Sequence, residues 1–142
     1  MIILDTNVLS ALMQPDRNTA AIVWIAGNAP ENLWTTVISL HEIQFGIEKL
    51  ATGKKRRGLA AGLAVILDSG LDQRLLLLDA DSAGRAAAAR SAAVKATGHC
   101  DVPDALIAGI ALTHGASVAT RNISDFKHFG VPLIDPWLAA AP

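Results

Sequence analysis

Four acidic residues occupy positions from which carboxylates could together bind a divalent cation. Each follows a predicted strand or opens a predicted helix, and they are Asp5, Glu42, Asp104 and Asp125. Ligands of parallel α/β sheets bind beyond the carboxyl ends of the strands, so one sheet edge could gather all four acids. Two carboxylates about 4 Å apart repel each other by roughly 4 kcal/mol at an effective dielectric constant near 20. Such a cluster needs protonation or a cation, and an all-oxygen ligand set favours Mg²⁺ or Mn²⁺ over zinc.

Three of these positions also fit a purely structural role as helix or turn caps. Asp5 could cap a helix that begins at Thr6, and Asp125 could cap a short turn. Asp101 and Asp104 both suit a helix N-terminus, through capping and through the helix dipole. We interpret Asp101 as the cap and Asp104 as the functional acid, although the sequence also fits the reverse assignment.

Glu42 has a structural alternative of its own. The spacing Ser39-x-x-Glu42 matches a capping box, in which the glutamate side chain would bond to the backbone at a helix start. We expect Ser39 to open this helix and Glu42 to lie in its first turn. His41 precedes Glu42, but neighbouring helical residues point about 100° apart, so the imidazole is expected to face elsewhere.

Short apolar runs and helical periodicity predict the elements that position these residues. Strands are predicted at 1–4, 33–37, 75–78, 117–120 and 131–134. Helices are predicted at 8–13, 18–26, 39–53, 54–67, 82–96 and 101–114, with a short loop before Asp125. Strands that alternate with helices indicate an α/β fold with a parallel sheet covered on both faces. The length suits one domain over residues 1–142.

The composition excludes several classes of protein. The chain is 51% hydrophobic and 18% charged, which argues against disorder. Cys100 is the only cysteine, so no internal disulfide forms, and zinc ligation by His99, Cys100 and Asp101 lacks supporting residues. The apolar runs are too short for a signal peptide or a membrane span. We therefore expect a soluble cytoplasmic protein.

Basic residues are too few to make the whole chain an electrostatic nucleic-acid binder, since its net charge is −1. One dense run, Lys54, Lys55, Arg56 and Arg57, begins a predicted helix. It could simply be a solvated helix start, yet cations there oppose the helix dipole. That mild conflict suggests a partner, either phosphates or an acidic surface. Arg121 lies beside the proposed site and could also contact phosphate.

The same residues carry a family resemblance that extends over essentially the whole chain. The sequence resembles PIN-domain proteins, specifically VapC-type toxins of toxin–antitoxin systems, with particular similarity to the FitB subgroup. The matching segments, in order, are ILDTNVL at 3–9, HEIQFGI at 41–47, DALIA at 104–108, ATRN at 119–122, DF at 125–126 and IDPW at 134–137. Each segment is short, and their order at this length makes the resemblance specific.

The resemblance implies a sheet of about five parallel strands and a metal-dependent endoribonuclease that uses Mg²⁺ or Mn²⁺. It assigns Asp5, Glu42 and Asp104 as core acids, completed by Asp125. In the FitB-like subgroup an acid can directly follow the arginine, where this chain has Asn122. Members work beside a small cognate antitoxin and form homodimers or larger toxin–antitoxin assemblies.

Polar neighbours of the acids are predicted to orient them or their bound waters. The candidates, each of which could instead cap a strand end, are Thr6, Asn7, Ser39, Thr120 and Asn122. Two other functions remain open: a PIN-like module that binds RNA or protein without cleavage, and a Mg²⁺-dependent hydrolase of small phosphates. The second lacks the Asp-x-Asp nucleophile pair of one such class, because Thr6 and Asn7 follow Asp5.

Overall fold

A sheet of five parallel strands forms the centre of the molecule. The computed structural model describes residues 1–139, so the last three residues of the predicted 1–142 domain lie outside the described residues. The strands are β1 (Ile2–Leu4), β2 (Leu33–Thr36), β3 (Leu75–Leu76), β4 (Ser117–Ala119) and β5 (Leu133–Ile134), in the spatial order β3-β2-β1-β4-β5. The predicted α/β class and five-stranded parallel sheet are therefore confirmed.

Helices connect the strands and cover both faces of the sheet. They are α1 (Thr6–Leu12), α2 (Thr19–Gly27), α3 (Val37–Glu48), α4 (Lys54–Val65), α5 (Ala80–Thr97), α6 (Val102–His114) and α7 (Ile123–Phe126). Short 3₁₀ turns at Pro15–Arg17 and Pro30–Asn32 precede α2 and β2, and a π turn at Ile66–Gly70 extends α4. Within residues 1–139, no helix is long and apolar enough to span a membrane.

The central strand β1 divides the core into two layers. Ile3 pairs with Trp34 and Val118 on the neighbouring strands, and Ile3 and Leu4 are both fully buried. Successive strand residues point to opposite faces, so Ile3 joins the layer under α6 while Leu4 joins the layer containing α1 and α3. Burial on both faces explains why this strand is continuously apolar.

Helices α5 and α6 pack closely because small residues line their contact. A β-carbon built on Gly109 would lie 2.3 Å from the Ser82 carbonyl oxygen and 2.6 Å from the Ala86 β-carbon. Ala89 and Ala93 of α5 are also buried in this layer. The close approach fixes α6, whose first turn carries Asp104 to the carboxyl edge of the sheet.

Three predicted helix starts are wrong, each by two residues. Helix α5 begins at Ala80 rather than at residue 82, after the N-cap Asp79. Helix α1 begins at Thr6 rather than at residue 8, with Asp5 as its N-cap. Helix α3 begins at Val37, and the hydroxyl of Thr36 caps it by accepting from the Ser39 backbone N–H at 3.1 Å. The capping-box alternative for Glu42 therefore fails, because a strand-end threonine supplies the cap and Glu42 lies in the second turn.

Other boundaries differ for local reasons. The predicted loop before Asp125 is partly helical, because α7 begins at Ile123 and includes Asp125. The predicted helix 54–67 changes to the π turn after Val65. Strands β3 and β5 are each two residues long, shorter than their apolar runs, because pairing with the neighbouring strand covers only those residues.

Candidate active site

The four predicted acids line one cleft at the carboxyl edge of the sheet. The cleft has a volume of about 420 Å³. Its lining residues are Asp5, Thr6, Asn7, Ser10, Glu42, Asp101, Asp104, Asn122 and Asp125. Asp5 follows β1, Glu42 lies on α3, and Asp104 and Asp125 come from α6 and α7. The parallel sheet thus brings together residues that are up to 120 positions apart.

Asp5 caps helix α1 and also lines the cleft, so the cap does not remove its carboxylate from the site. One carboxyl oxygen, Oδ1, accepts the Thr6 backbone N–H at 2.7 Å and caps α1. The other, Oδ2, accepts from Asn7 Nδ2 and from the Thr120 hydroxyl, both at 2.7 Å. Asp5 is only 2% exposed, so these bonds fix its orientation at the floor of the cleft.

Asn7 and Thr120 link Asp5 to the segment that follows β4. The Asn7 amide donates to the Thr120 hydroxyl at 3.1 Å, and its Oδ1 accepts the Arg121 backbone N–H at 3.1 Å. The Thr120 hydroxyl also accepts the Asn122 backbone N–H at 2.9 Å. Asn7, Thr120 and the backbone of Asn122 therefore form one network around Asp5.

Glu42, on α3, is held by a side chain of α1. The hydroxyl of Thr6 donates a short hydrogen bond of 2.5 Å to Glu42 Oε2. Because Thr6 adjoins Asp5, a single turn of α1 contacts two of the acids. Ser39 does not share this role: it is fully buried and its hydroxyl lies 3.3 Å from that of Thr36, within the cap of α3.

Asp104 is the most electrostatically perturbed acid of the cleft. The Asp101 side chain accepts the Asp104 backbone N–H at 3.3 Å, so Asp101 is the N-cap and Asp104 is free to face the cleft. Burial raises the pKa of Asp104 from 3.8 to about 8, with further increases from the charges of Asp5, Asp101, Glu42 and Asp125. At neutral pH its carboxyl group holds a proton in the absence of a cation.

Burial also raises the pKa of Asp5, from 3.8 to about 6. The hydrogen bonds from Thr120, Thr6 and Asn7 oppose this increase, and the charge of Glu42 adds to it. Two neighbouring acids are thus held where ionisation is unfavourable, and a cation would reverse that balance. Strongly shifted acids in a cleft are typical of functional sites.

The donor set of the cleft fits a hard divalent cation. Carboxylate oxygens dominate it, with amide and hydroxyl oxygens from Asn122, Thr6 and Ser10 at its edge. Among residues 1–139, no three His, Cys, Asp or Glu side chains already stand close enough to hold an ion. An ion bound here would therefore draw the acids closer together. The two shifted pKa values supply the electrostatic reason for such binding.

A family model describing the PIN domain matches residues 2–131. The chain belongs to the PIN-domain family. The VapC ribonuclease Y4jK of Sinorhizobium fredii is 36% identical over 138 residues, covering 96% of this chain and 98% of the relative. The toxin FitB of Neisseria gonorrhoeae is 31% identical over 137 residues, covering 96% of this chain and 99% of FitB. The predicted resemblance to VapC-type and FitB-like proteins is confirmed.

The fold of this PIN domain is also that of a solved toxin complex. A structure of FitAB bound to the IR36 DNA fragment aligns with a TM-score of 0.88 at 29% identity. The alignment covers 99% of this chain and 98% of the solved chain. The alignment extends over nearly the whole of both chains, so the cleft described above lies within the shared fold.

The predicted basic residues of the PIN domain lie outside the cleft. Arg121 is exposed and its guanidinium carbon lies 5.3 Å from the centroid of the Trp137 ring. Arg56 forms an ion pair with Glu48 across the turn between α3 and α4. Lys54, Lys55 and Arg57 are exposed at the start of α4, where Gly53 provides no side-chain cap.

Two residues that line the cleft were not predicted as site residues from the sequence. Asp101, predicted only as a cap, also lines the cleft. Ser10 was not predicted at all, although it lies one helical turn after Thr6 on α1 and therefore faces the same side. That spacing was the available signal. Asp125, predicted to complete the acids, and Asn122, predicted as a polar neighbour, both line the cleft.

Proposed function

We propose that this PIN domain is a metal-dependent endoribonuclease, the toxin of a toxin–antitoxin pair. The observation that carries the proposal is the four-acid cleft in which Asp5 and Asp104 have raised pKa values. Acids assembled at such electrostatic cost favour a divalent cation, Mg²⁺ or Mn²⁺. The names of the relatives, a VapC ribonuclease and the toxin FitB, support RNA as the substrate.

Some side chains of the cleft would bind the cation, and others orient the residues that bind it. Asp5, Glu42, Asp104 and Asp125 would hold the cation. When bound, it would activate a water molecule and stabilise negative charge on the scissile phosphate. Asn7 and Thr120 each donate a hydrogen bond of 2.7 Å to the second oxygen of Asp5, so the protein itself orients this carboxylate.

A series of connected clefts offers RNA a path to the acids. The carboxylate cleft shares Thr6, Ser10 and Glu42 with a neighbouring cleft between α1 and α3. That cleft in turn shares Met13, Gln14 and Leu59 with a third one, which Arg17 and Lys55 line. Phosphates that contact Lys55 would thus be in line with the site, which supports a binding role for the basic run. Arg121 would contact phosphate from the β4 side.

A cleavage assay on purified protein tests the proposed reaction. We expect RNA cleavage with Mg²⁺ or Mn²⁺ and none with a chelator, and we expect Asp5→Asn and Glu42→Gln each to abolish it. Asp81→Asn is the matched control, because Asp81 is an exposed acid that pairs with Arg85 at 3.1 Å on α5. Binding of RNA without any cleavage would instead support the binding-module alternative, and intact cleavage by both cleft variants would contradict the mechanism.

A small cognate antitoxin and a homodimer complete the proposal. The solved FitAB complex supports a protein partner for this chain, because the FitB protein is a toxin similar to it over nearly its full length. Expression of this chain alone should arrest growth, and co-expression of its antitoxin should restore growth. Growth arrest that persists in the Asp5→Asn variant would separate toxicity from cleavage and overturn this assignment.

A further inference from the structure

A second cleft adjoins the carboxylate cleft and contains two histidines. It has a volume of about 260 Å³ and is more enclosed than its neighbour. The lining residues are Ala93, Thr97, His99, Cys100, Asp101, Ser124, Asp125 and His128. Asp101 and Asp125 line both clefts, so the two share a rim. We call it the histidine cleft; none of its distinctive residues takes part in the site described above.

The wall that carries His99 is held by the end of α5. Gly98 ends this helix with a left-handed backbone, at a φ of 78°. The hydroxyl of Thr97 lies 2.9 and 2.8 Å from the carbonyl oxygens of Ala93 and His99, which share its single proton, and it accepts the His99 backbone N–H at 3.3 Å. These bonds fix the backbone of His99 against the last turn of the helix.

The wall that carries His128 is held by two buried aromatic rings. Phe126 and Phe129 are 0% and 4% exposed and pack edge to face, with ring centroids 5.5 Å apart. Because His128 lies between them in sequence, its backbone is anchored on both sides. The backbone of both histidines is therefore held in place before a ligand binds, which lowers the entropy lost on binding.

The lining chemistry matches a single nucleobase. Pockets for drug-sized ligands occupy about 300–1,000 Å³, and the histidine cleft is smaller than these. Histidine rings stack on unpaired bases in RNA recognition, and each neutral imidazole offers one donor and one acceptor. Asp101 at the rim is not among the acids assigned to the cation, and its carboxylate would accept a hydrogen bond from an exocyclic amino group.

We propose that the histidine cleft binds the base of a nucleotide next to the cleaved bond, and that it selects a base with an exocyclic amino group. Cytosine meets this requirement and uracil, which has a carbonyl oxygen at the same position, does not. The proposal rests on the proposed ribonuclease function, because the shared rim places such a base beside a phosphodiester in the carboxylate cleft. It assigns His99 and His128 to hold the base in the cleft, where Asp101 accepts a hydrogen bond from its amino group.

Mapping of cleavage sites tests the selectivity. The substrate is an RNA in which every dinucleotide step occurs in a single-stranded context. The wild type should cut steps with cytosine beside the bond at least about tenfold faster than the matched uracil steps, the discrimination expected of good hydrogen bonding to one base. In the variant with both His99→Ala and His128→Ala, the ratio should approach one while cleavage at uracil steps persists.

His114→Ala is the matched control for loss of an imidazole. His114 is exposed at the last turn of α6, about 15 Å along the helix from Asp104 at 1.5 Å per residue. The control should keep the cytosine preference of the wild type. An unchanged preference in the double variant, or a wild-type preference for uracil, would overturn the proposal.

A binding measurement separates this proposal from the proposed function. Short oligocytidine and oligouridine are titrated into the wild-type protein in a chelator, and the imidazole resonances of His99, His128 and His114 are followed by NMR. Oligocytidine should shift His99 and His128 but not His114, and oligouridine should shift none of them. This result stands even if the protein cleaves no RNA, and equal shifts with both oligomers would reject the histidine cleft as a base-selective site.

Discussion

Helix α6 belongs to two regions that have opposite effects on the stability of the fold. Its first turn brings Asp104 into a cleft with three other acids, and burial and repulsion raise the pKa of Asp104 to about 8. Its middle turn packs Gly109 against α5, where the Ser82 carbonyl oxygen leaves no room for a β-carbon. The carboxylate cleft thus opposes folding when its acids are ionised, whereas the α5–α6 contact favours folding.

This contrast shows how the fold maintains an unfavourable site. An acid on a loosely packed helix could move away from its neighbours and recover an ordinary pKa. Asp104 cannot do so easily, because close packing along α6 fixes the helix on which it lies. Changes in the two regions should therefore have opposite consequences: a neutral cleft should lose activity and keep stability, and a disturbed contact should lose stability.

The largest effect is expected for Asp104→Asn. Loss of even an indirect partner of a metal ligand costs about 10–100-fold in affinity or activity, so loss of this acid should lower metal-dependent RNA cleavage by at least about 100-fold. Asparagine resembles the protonated acid, so the melting temperature in a chelator should equal or exceed that of the wild type. Asp81→Asn serves as the control. A variant that unfolds at lower temperature would contradict the electrostatic side of the comparison.

The second effect tests the α5–α6 contact. Gly109→Ala should lower the free energy of unfolding by about 1–3 kcal/mol, because the added methyl group overpacks the contact. Gly84→Ala, in α5, is the matched control: a β-carbon there meets nothing within 4 Å, and the change should stabilise the helix by about 0.5–1 kcal/mol. Urea titrations measure both. Equal changes in the free energy of unfolding of the two variants would show that the packing of α5 on α6 does not depend on the close approach at Gly109.

The sequence allowed most of the sheet and the acid positions to be predicted, because both depend on local patterns. Buried parallel strands appear as short apolar runs, and the acids follow them at the carboxyl edge. The family segments at 3–9, 41–47 and 104–108 then linked these positions. The start of α3 could not be predicted as well, because Ser39 and Thr36 are both good capping residues and only the end of β2 decides between them.

The histidine cleft could not be predicted from the sequence for a different reason. His99 and His128 are separated by 29 positions and belong to no common motif. They line one cleft only because α5 ends at Gly98 and the segment after α7 is held by the contact between Phe126 and Phe129. Such a site arises from the packing of element ends, on which composition and periodicity give no information.

The third effect concerns the bond between Thr6 and Glu42. Thr6→Val keeps the side-chain shape but removes the hydroxyl that donates to Glu42 Oε2. We expect cleavage to fall by about tenfold, the lower range for losing a group that orients a metal ligand, and half-saturation to require more Mn²⁺. Thr6→Ser, which retains the hydroxyl, should recover most of the activity. If valine and serine behave alike, the hydrogen bond does not orient Glu42.

The last effect is a dependence of stability on pH, which should disappear when the cleft is neutralised. Asp5 and Asp104 have folded pKa values of about 6 and about 8, both above the ordinary 3.8. Between pH 4 and 8 the folded state therefore binds more protons than the unfolded state, and its stability falls as pH rises. In a chelator, the melting temperature should therefore be lower at pH 8 than at pH 5, by on the order of 10 °C.

Two additions distinguish the cleft from other sources of this pH dependence. Saturating Mn²⁺ favours the ionised acids, so it should raise the melting temperature more at pH 8 than at pH 5. Asp104→Asn should reduce the decline seen in a chelator, because it removes the acid with the larger shift. Gly109→Ala should lower both melting temperatures and leave their difference unchanged. If the melting temperature of Asp104→Asn falls with pH as much as that of the wild type, the groups that bind the additional protons lie outside the cleft.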